Sequence, residues 1–301
     1  MPQHINAQTA KEYWLGDGCH NTFLIFDLLD HPEIYAEEFI AHAHQCLLAE
    51  QRDDALILLP MGSTNHLRRI KMVIVEPDGS FAAFCGNGAR VIAAYWECFL
   101  HGDSQGFTLV TADEQKDHPV TALGNGYYRI NLLSALTIPH FSHFLVRDAA
   151  LSCTKEAQDI WTFSLEHEGR AYSLYFAQTG EPHLVCFAAL SYEELTALGH
   201  LLNTRYRSHF PHGINLNAVT IVDDSTISVR TYERGVNHIT MSCGTGSACS
   251  ARISQLCGLT CAPVVTVKTY GGELVVEYRH HERHLLLSGP AHVWKPDDKF
   301  T

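Results

Sequence analysis

Phe84-Cys85-Gly86-Asn87-Gly88-Ala89 recurs 158 residues later as Ser242-Cys243-Gly244-Thr245-Gly246-Ser247. Each copy follows a β-like run, Lys71–Val75 before the first and Thr226–Thr231 before the second. Each precedes an Ala-rich run with apolar residues at helical spacing, Ala89–Leu100 and Ser247–Leu256. A motif repeated at about half the chain length, with the same flanking periods, reads as two related halves. The expected class is α+β: two related halves, each with several strands and one long buried helix.

The remaining punctuation fits this plan. Strands are expected at Phe23–Asp27, Ala55–Leu59, Phe107–Thr111 and Tyr127–Asn131 in the first half. The second half offers Tyr172–Phe176, Leu184–Phe187, Val219–Val222, Val264–Thr269 and Leu274–Tyr278. More polar surface helices are expected at Tyr35–Glu50 and Tyr192–Arg205. Pro139 interrupts the pattern near Ser134–His140, which marks the join.

A cysteine on the turn opening a helix meets unpaired backbone N–H groups and the positive end of the helix dipole. That field favours thiolate over thiol. The flanking glycines let a ligand approach the backbone closely, and the same N–H groups can bind a carboxylate. Inverting a stereocentre at Cα requires removing a proton from one face and returning one to the other. Two acid–base groups do this, one ionised and one protonated. Helix N-termini hold the α-carboxylate and stabilise the enolate-like charge that develops. Cys85 and Cys243 fit those two roles, and the chemistry then requires no cofactor and no pyridoxal phosphate. Cys98, Cys153, Cys186, Cys249, Cys257 and Cys261 read instead as small buried hydrophobes.

Composition narrows the class. The chain has 301 residues, 46% of them hydrophobic and 18% charged, enough for a sizeable core and two domains. Its net charge of −12 speaks against a nucleic-acid partner. Met1 to Trp14 is polar, unlike a signal peptide, and no apolar run approaches the ~18 residues of a membrane span. Ten cysteines without such a signal point to reduced thiols in the cytoplasm. No C-x-x-C pair exists, and His42, His44 and Cys46 lie on a helix where positions two apart face different sides, so no metal site is expected. The expected partner is a small-molecule amino acid, with no nucleic acid, no membrane, and a homodimer left open.

At these residues the sequence resembles the diaminopimelate epimerase family. Asp78-Gly79-Ser80 leads into Cys85-Gly86-Asn87-Gly88-Ala89-Arg90, and Tyr232-Glu233-Arg234-Gly235 leads into Cys243-Gly244-Thr245-Gly246. Weaker matches are Gly18-Cys19-His20-Asn21-Thr22-Phe23, Gly180-Glu181-Pro182-His183, Asn215-Leu216-Asn217 and Gly289-Pro290-Ala291. The resemblance implies two pseudo-symmetric domains, each a mixed β-sheet wrapped around a central helix, with the site in the cleft between them and a last strand that returns to the first, so that the expected domains are 1–135 with 290–301, and 136–289. It implies Cys85 and Cys243 as base and acid, with Glu233 and His183 near the thiols supporting proton transfer. Asn21, Asn87 and the backbone of Gly86, Gly244 and Thr245 would hold the reacting amino-acid end. Asn215 and Arg234 would face the distal end of the substrate.

The departures fall on the specificity side. Glu76 and Glu181 stand where the family usually has asparagine, Ala55 replaces a usual glutamine, and the Gly235–Thr240 loop is about one residue longer. Two added carboxylates repel a distal carboxylate and attract a cation or N–H donor. The expectation is an amino-acid racemase acting on a basic amino acid such as histidine, lysine or ornithine, and so yielding a D-amino acid. The alternative is diaminopimelate epimerase itself. A catalytically inactive amino-acid-binding protein is a further alternative, which would need neither thiol.

Overall fold

The computed structural model describes residues 12–64, 67–100, 106–111, 116–134, 152–155 and 160–298. It divides into two compact units, Met1–Ile130 with Gly289–Thr301, and Asn131–Ser288. Most of the Ser134–His140 join lies outside the described residues.

In the first unit the strands are β1 (Trp14–Asp17), β2 (Thr22–Asp27), β3 (Asp54–Thr64), β4 (Leu67–Val75), β5 (Phe81–Ala82), β6 (Phe107–Val110), β7 (Asp117–Gly124) and β8 (Tyr127–Asn131). Its helices are α1 (Glu37–Glu50) and α2 (Gly86–Phe99). The second unit carries β9 (Ser152–Lys155), β10 (Trp161–His167), β11 (Arg170–Thr179), β12 (Glu181–Cys186), β13 (Asn215–Asp223), β14 (Thr226–Glu233) and β15 (His238–Ile239). It continues with β16 (Val264–Thr269), β17 (Gly272–Arg279) and β18 (His284–Pro290), with helices α3 (Tyr192–Thr204) and α4 (Gly244–Leu256). A final strand, β19 (His292–Trp294), belongs to the first unit.

The pairings repeat. β2 runs parallel to β3 across α1, as β12 does to β13 across α3. Antiparallel β3–β4 corresponds to β13–β14, and each second strand carries a two-residue partner, β5 or β15, just before the buried helix. After the helix, β4 pairs in parallel with β6, and β14 with β16. Antiparallel β7 and β17 follow. On its other side β1 takes β19, with Leu15 opposite Trp294, whereas β11 takes β10 from the preceding sequence.

Both faces of these sheets are covered, which is why their strands read as unbroken apolar runs. In the first unit, Leu24, Phe26, Ala55, Ile57 and Leu59 join Phe39, Ala43 and Leu47 of α1 in one core. Those α1 residues recur every four positions and make one apolar stripe. The opposite face meets α2, whose residues Gly86 through Trp96 are all buried. A helix apolar or small all round belongs inside. In the second unit α3 begins on a capping box, Ser191 accepting from the Glu194 N–H at 3.1 Å while Glu194 accepts from the Ser191 N–H at 2.7 Å. Its Leu195, Leu198 and Leu202 pack with Phe176, Leu184, Leu216 and Tyr232. The buried α4 packs on β11, β12, β13, β14, β16 and β17. The architecture is α+β, two pseudo-symmetric units each wrapping a mixed sheet around a helix.

Three cysteines depart from expectation. Cys98 and Cys261 are exposed and Cys257 is partly buried. Cys98 lies on the last turn of α2, beyond the buried stretch ending at Trp96, and the other two lie in the loop that follows α4. The side chain of Cys153 lies outside the described residues. Cys186 and Cys249 are buried as expected.

Candidate active site

In each unit the short connection after β5 or β15 delivers a cysteine to the N-cap of the buried helix. Cys85 caps α2 with φ −128° and ψ 114°, and Cys243 caps α4 with φ −119° and ψ 112°. The near-identical backbone is the structural form of the repeated motif.

At the first turn the Cys85 Sγ accepts the Gly88 N–H at 3.3 Å. This is an N-cap bond made by sulfur, and it favours the ionised form. The Asn21 Oδ1 lies 3.8 Å from the same sulfur and accepts from Asn87 Nδ2 at 3.2 Å. Asn21, Cys85, Gly86 and Asn87 therefore form one group. Asn87 is buried, while Asn21 and Cys85 are partly buried.

At the second turn a polar chain runs behind the thiol. Thr231 Oγ1 donates to Asn217 Oδ1 at 2.8 Å, which turns the Asn217 amide nitrogen toward the Leu184 carbonyl and His183 Nδ1, both at 3.1 Å. Nδ1 must then accept, so the neutral ring carries its proton on Nε2 and donates it to Thr245 Oγ1 at 3.0 Å. The Thr245 oxygen lies 3.6 Å from Cys243 Sγ, in position to donate its own hydrogen to a thiolate. His183 is fully buried, and burial, helped by the positive charge of Arg234, pushes its pKa down to about 3. The ring is neutral at pH 7, and its tautomer is fixed by Asn217.

Gly246 makes this seating feasible. A Cβ there would lie 2.4 Å from Asn217 Oδ1 and 3.2 Å from His183 Cε1. Only glycine lets α4 rest on the polar chain.

The remaining expected residues fall into two local groups. Glu181, at the start of β12, is buried and ion-paired with Arg234. The same guanidinium donates to the His212 carbonyl at 2.5 Å, and the Arg234 N–H donates to Asn215 Oδ1 at 2.9 Å. Glu233 accepts a hydrogen bond from Thr240, on the loop leading to Cys243. Glu76, in the first unit, closes a turn in which Ser80 Oγ donates to its carboxylate at 2.7 Å. Among the described residues, no group of three or more His, Cys, Asp or Glu side chains could hold a metal ion.

Sequence reasoning missed the side chains of Thr245, Asn217 and Thr231 behind Cys243. Asn217 lay in a quoted stretch, but only its pairing with His183 shows its part. It also gave no role to Cys19 or Arg90, although Arg90 ends the first motif. The expectation that His183 lies next to a thiol is refined: the Thr245 hydroxyl stands between them.

In each repeated unit a cysteine caps the buried helix, and the relatives of the chain are isomerases of the racemase and epimerase class. A model of the diaminopimelate epimerase family matches residues 175–294. The diaminopimelate epimerase of Archaeoglobus fulgidus is 34% identical over 75% of this chain and 73% of its own. That of Caldanaerobacter subterraneus subsp. tengcongensis is 32% identical over 79% and 81%. A hydroxyproline epimerase from Agrobacterium vitis, solved with trans-4-hydroxy-L-proline, superposes with a TM-score of 0.60 at 11% identity, covering 94% of this chain and 90% of that one. The chain belongs to the diaminopimelate epimerase family.

Proposed function

We propose that the protein is a cofactor-independent amino-acid racemase using Cys85 and Cys243 as a two-base pair, and that its substrate is a basic amino acid, histidine foremost. The matched pair of helix-capping cysteines carries the reading of mechanism. One thiolate takes the Cα proton, the C–H electron pair moves into the carboxylate as an enolate, and the opposite thiol returns a proton to the other face of carbon. Proton count and charge balance over the turnover, with the two sulfurs exchanging protonation states. Free N–H groups at Gly86, Gly244 and Thr245, with the Asn21 and Asn87 amides, would hold the α-carboxylate and the developing charge. His183, through Thr245, and Glu233 would support proton transfer at Cys243. Thiolate chemistry needs reduced cysteines, which a cytoplasmic location supplies.

The ion pair between Glu181 and Arg234 supports the substrate reading. A guanidinium already matched by a carboxylate offers little to a second, distal carboxylate. Glu76 adds negative charge suited to an imidazole N–H or an ammonium. Asn215 would keep Arg234 in place from its backbone. The second reading, diaminopimelate epimerase itself, is favoured by the 34% and 32% identical relatives bearing that name.

A panel of L-amino acids with LL-diaminopimelate, incubated in D2O and read for α-deuterium and optical inversion, decides between them. Histidine or another basic amino acid is expected to turn over at least ~10-fold more efficiently than LL-diaminopimelate, the ratio set by one charge-assisted hydrogen bond. Preference for diaminopimelate would overturn the substrate reading. No exchange on any substrate would overturn the mechanism.

A further inference from the structure

Arg90 is the largest fully buried side chain among the described residues, with a relative exposure of 0%. It lies one turn inside α2 from Cys85. Its Nη2 donates to Asn87 Oδ1 at 2.9 Å and approaches Cys19 Sγ at 3.7 Å. Nη1 reaches the Gly86 carbonyl and Nε the Pro290 carbonyl, both at 3.4 Å. Every one of these acceptors is uncharged or a thiol. Among the described residues no carboxylate lies at ion-pairing distance from the guanidinium. A buried cation in that position needs a counter-charge. Burial opposes the charge most strongly; Cys19 favours it, followed by Cys85 and, more weakly, Asp17.

The guanidinium also fixes orientation. By claiming Asn87 Oδ1 it forces the Asn87 amide nitrogen toward Asn21 Oδ1. The Asn21 carbonyl is thereby committed, and its N–H2 remains a spare donor among the described residues. Asn21 itself sits at the end of a constrained loop in which Cys19 and His20 both hold φ of +60°. That conformation is costly for non-glycine residues and persists where the surroundings enforce it. The Gly18 N–H bonds the Asn21 carbonyl at 2.9 Å, the His20 N–H bonds Asp17 Oδ1 at 3.1 Å, and Arg90 holds Cys19 from below.

We propose that Arg90 is a positioning residue of the reaction: seated beneath the Cys85 turn on the Gly86 carbonyl, Asn87 and Cys19, its charge favours the Cys85 thiolate, and its donors lock Asn87 and Asn21 so that the spare Asn21 N–H2 meets the substrate carboxylate. The proposal rests on the two-thiol reading for its place in a reaction, but its electrostatic core concerns Cys85 alone. Other titratable groups on the elements against α2 are Asp17 on β1, Asp27 on β2, Asp117 and His118 on β7, and His292 on β19. Asp27 accepts from Tyr95 at 2.8 Å and Asp117 pairs with Arg69 at 2.7 Å. His118 stacks on Phe84, beside Cys85, with ring centroids 4.3 Å apart.

The test is the pH profile of iodoacetamide alkylation at Cys85 in the full chain, read by peptide mass spectrometry so that exposed Cys98 and Cys261 are counted apart. Arg90→Met is expected to move the Cys85 profile up by about one pH unit and slow alkylation at pH 7 about tenfold, with Arg90→Lys restoring most of the rate. With a good substrate, Arg90→Lys should keep much of kcat while KM rises, since it keeps charge but loses the fork that orients Asn87. A folded Arg90→Met protein that alkylates Cys85 like the parent overturns the proposal. If that variant does not fold, Cys19→Asp supplies the missing carboxylate and should slow Cys85 alkylation well below the Cys19→Ser rate; equal rates overturn the proposal. Alkylation needs no substrate, so the two readings fail separately. A parent protein that racemises nothing sinks the two-thiol reading, and racemisation with an Arg90-independent Cys85 sinks this one.

Discussion

The Glu181 carboxylate and the Arg234 guanidinium form an ion pair in which Arg234 is further held by the His212 carbonyl and, at its own N–H, by Asn215. The pair presents little net charge, in contrast to a lone arginine. Electrostatics at this point are therefore set by Glu181 together with Arg234.

Releasing Arg234 should change which substrate is preferred. Glu181→Asn with Glu76→Asn is expected to lower kcat/KM for histidine at least ~10-fold, the worth of one charge-assisted hydrogen bond, and to raise it for LL-diaminopimelate. Steady-state kinetics on both substrates check this. An unchanged ratio would mean that neither carboxylate meets the substrate.

Each thiol should be separately necessary. Cys85→Ala and Cys243→Ala are expected to abolish racemisation while leaving the fold intact, since each side chain leaves a small void at a helix end. Each variant can still exchange the α-proton of the enantiomer whose proton faces the remaining sulfur. Chiral chromatography after incubation in D2O separates inversion from exchange; racemisation by both variants would refute a two-base mechanism.

Thr245 should matter through its hydroxyl. Thr245→Val keeps the shape but leaves the buried His183 Nε2–H without an acceptor, at a cost of about 1–3 kcal/mol in a urea titration. It also removes the donor facing Cys243, so alkylation of that thiol should slow at neutral pH. Thr245→Ser should recover both properties. Recovery of neither would show that the threonine methyl, rather than the hydroxyl, is what the site uses.

His183 gives a pH dependence with a definite sign. Its pKa lies near 3 in the folded protein against 6.5 in an exposed ring. Below pH 6.5 the unfolded chain binds a proton that the folded one refuses, so stability falls as pH drops from about 6.5 towards 3. The slope contributed is at most about 1.4 kcal/mol per pH unit. Comparing urea midpoints of the parent and His183→Gln over that window should show the slope reduced in the variant. Equal slopes would mean that the imidazole titrates freely.

The doubled Cys-Gly-x-Gly turn was enough to read both buried helices, their cysteine caps and the α+β class, because the motif carries its own local physics. Strands such as Val264–Thr269 were legible from their apolar runs and flanking turns. Others were not. β7 contains Pro119, a residue that argues against a sheet interior. Its missing N–H is tolerated because pairing with β8 starts only at Val120, leaving Thr108 of β6 as its one cross-strand neighbour. β1 is four residues long and contains Gly16, too short a pattern to alternate visibly. β10, with Phe163 and Leu165 inward and Ser164 and Glu166 between them, did carry a readable alternation. In the site, motif positions were legible but hydrogen-bond partners were not. That Thr231, Asn217, His183 and Thr245 form one chain depends on residues from three strands and a helix, which no local pattern encodes.

Strand β19 has a consequence for biosynthesis. The first unit begins to emerge from the ribosome first, yet β1 obtains its outer neighbour only when Val293 and Trp294 have been added. Until then Leu15 to Asp17 form an open edge, available for unwanted pairing with other chains. The described strands of the second unit are all in place by Pro290. Maturation is thus inverted with respect to synthesis: β1, made before the second unit, gains this neighbour only after it, and a stall or truncation before His292 would leave that early strand unpaired on this side.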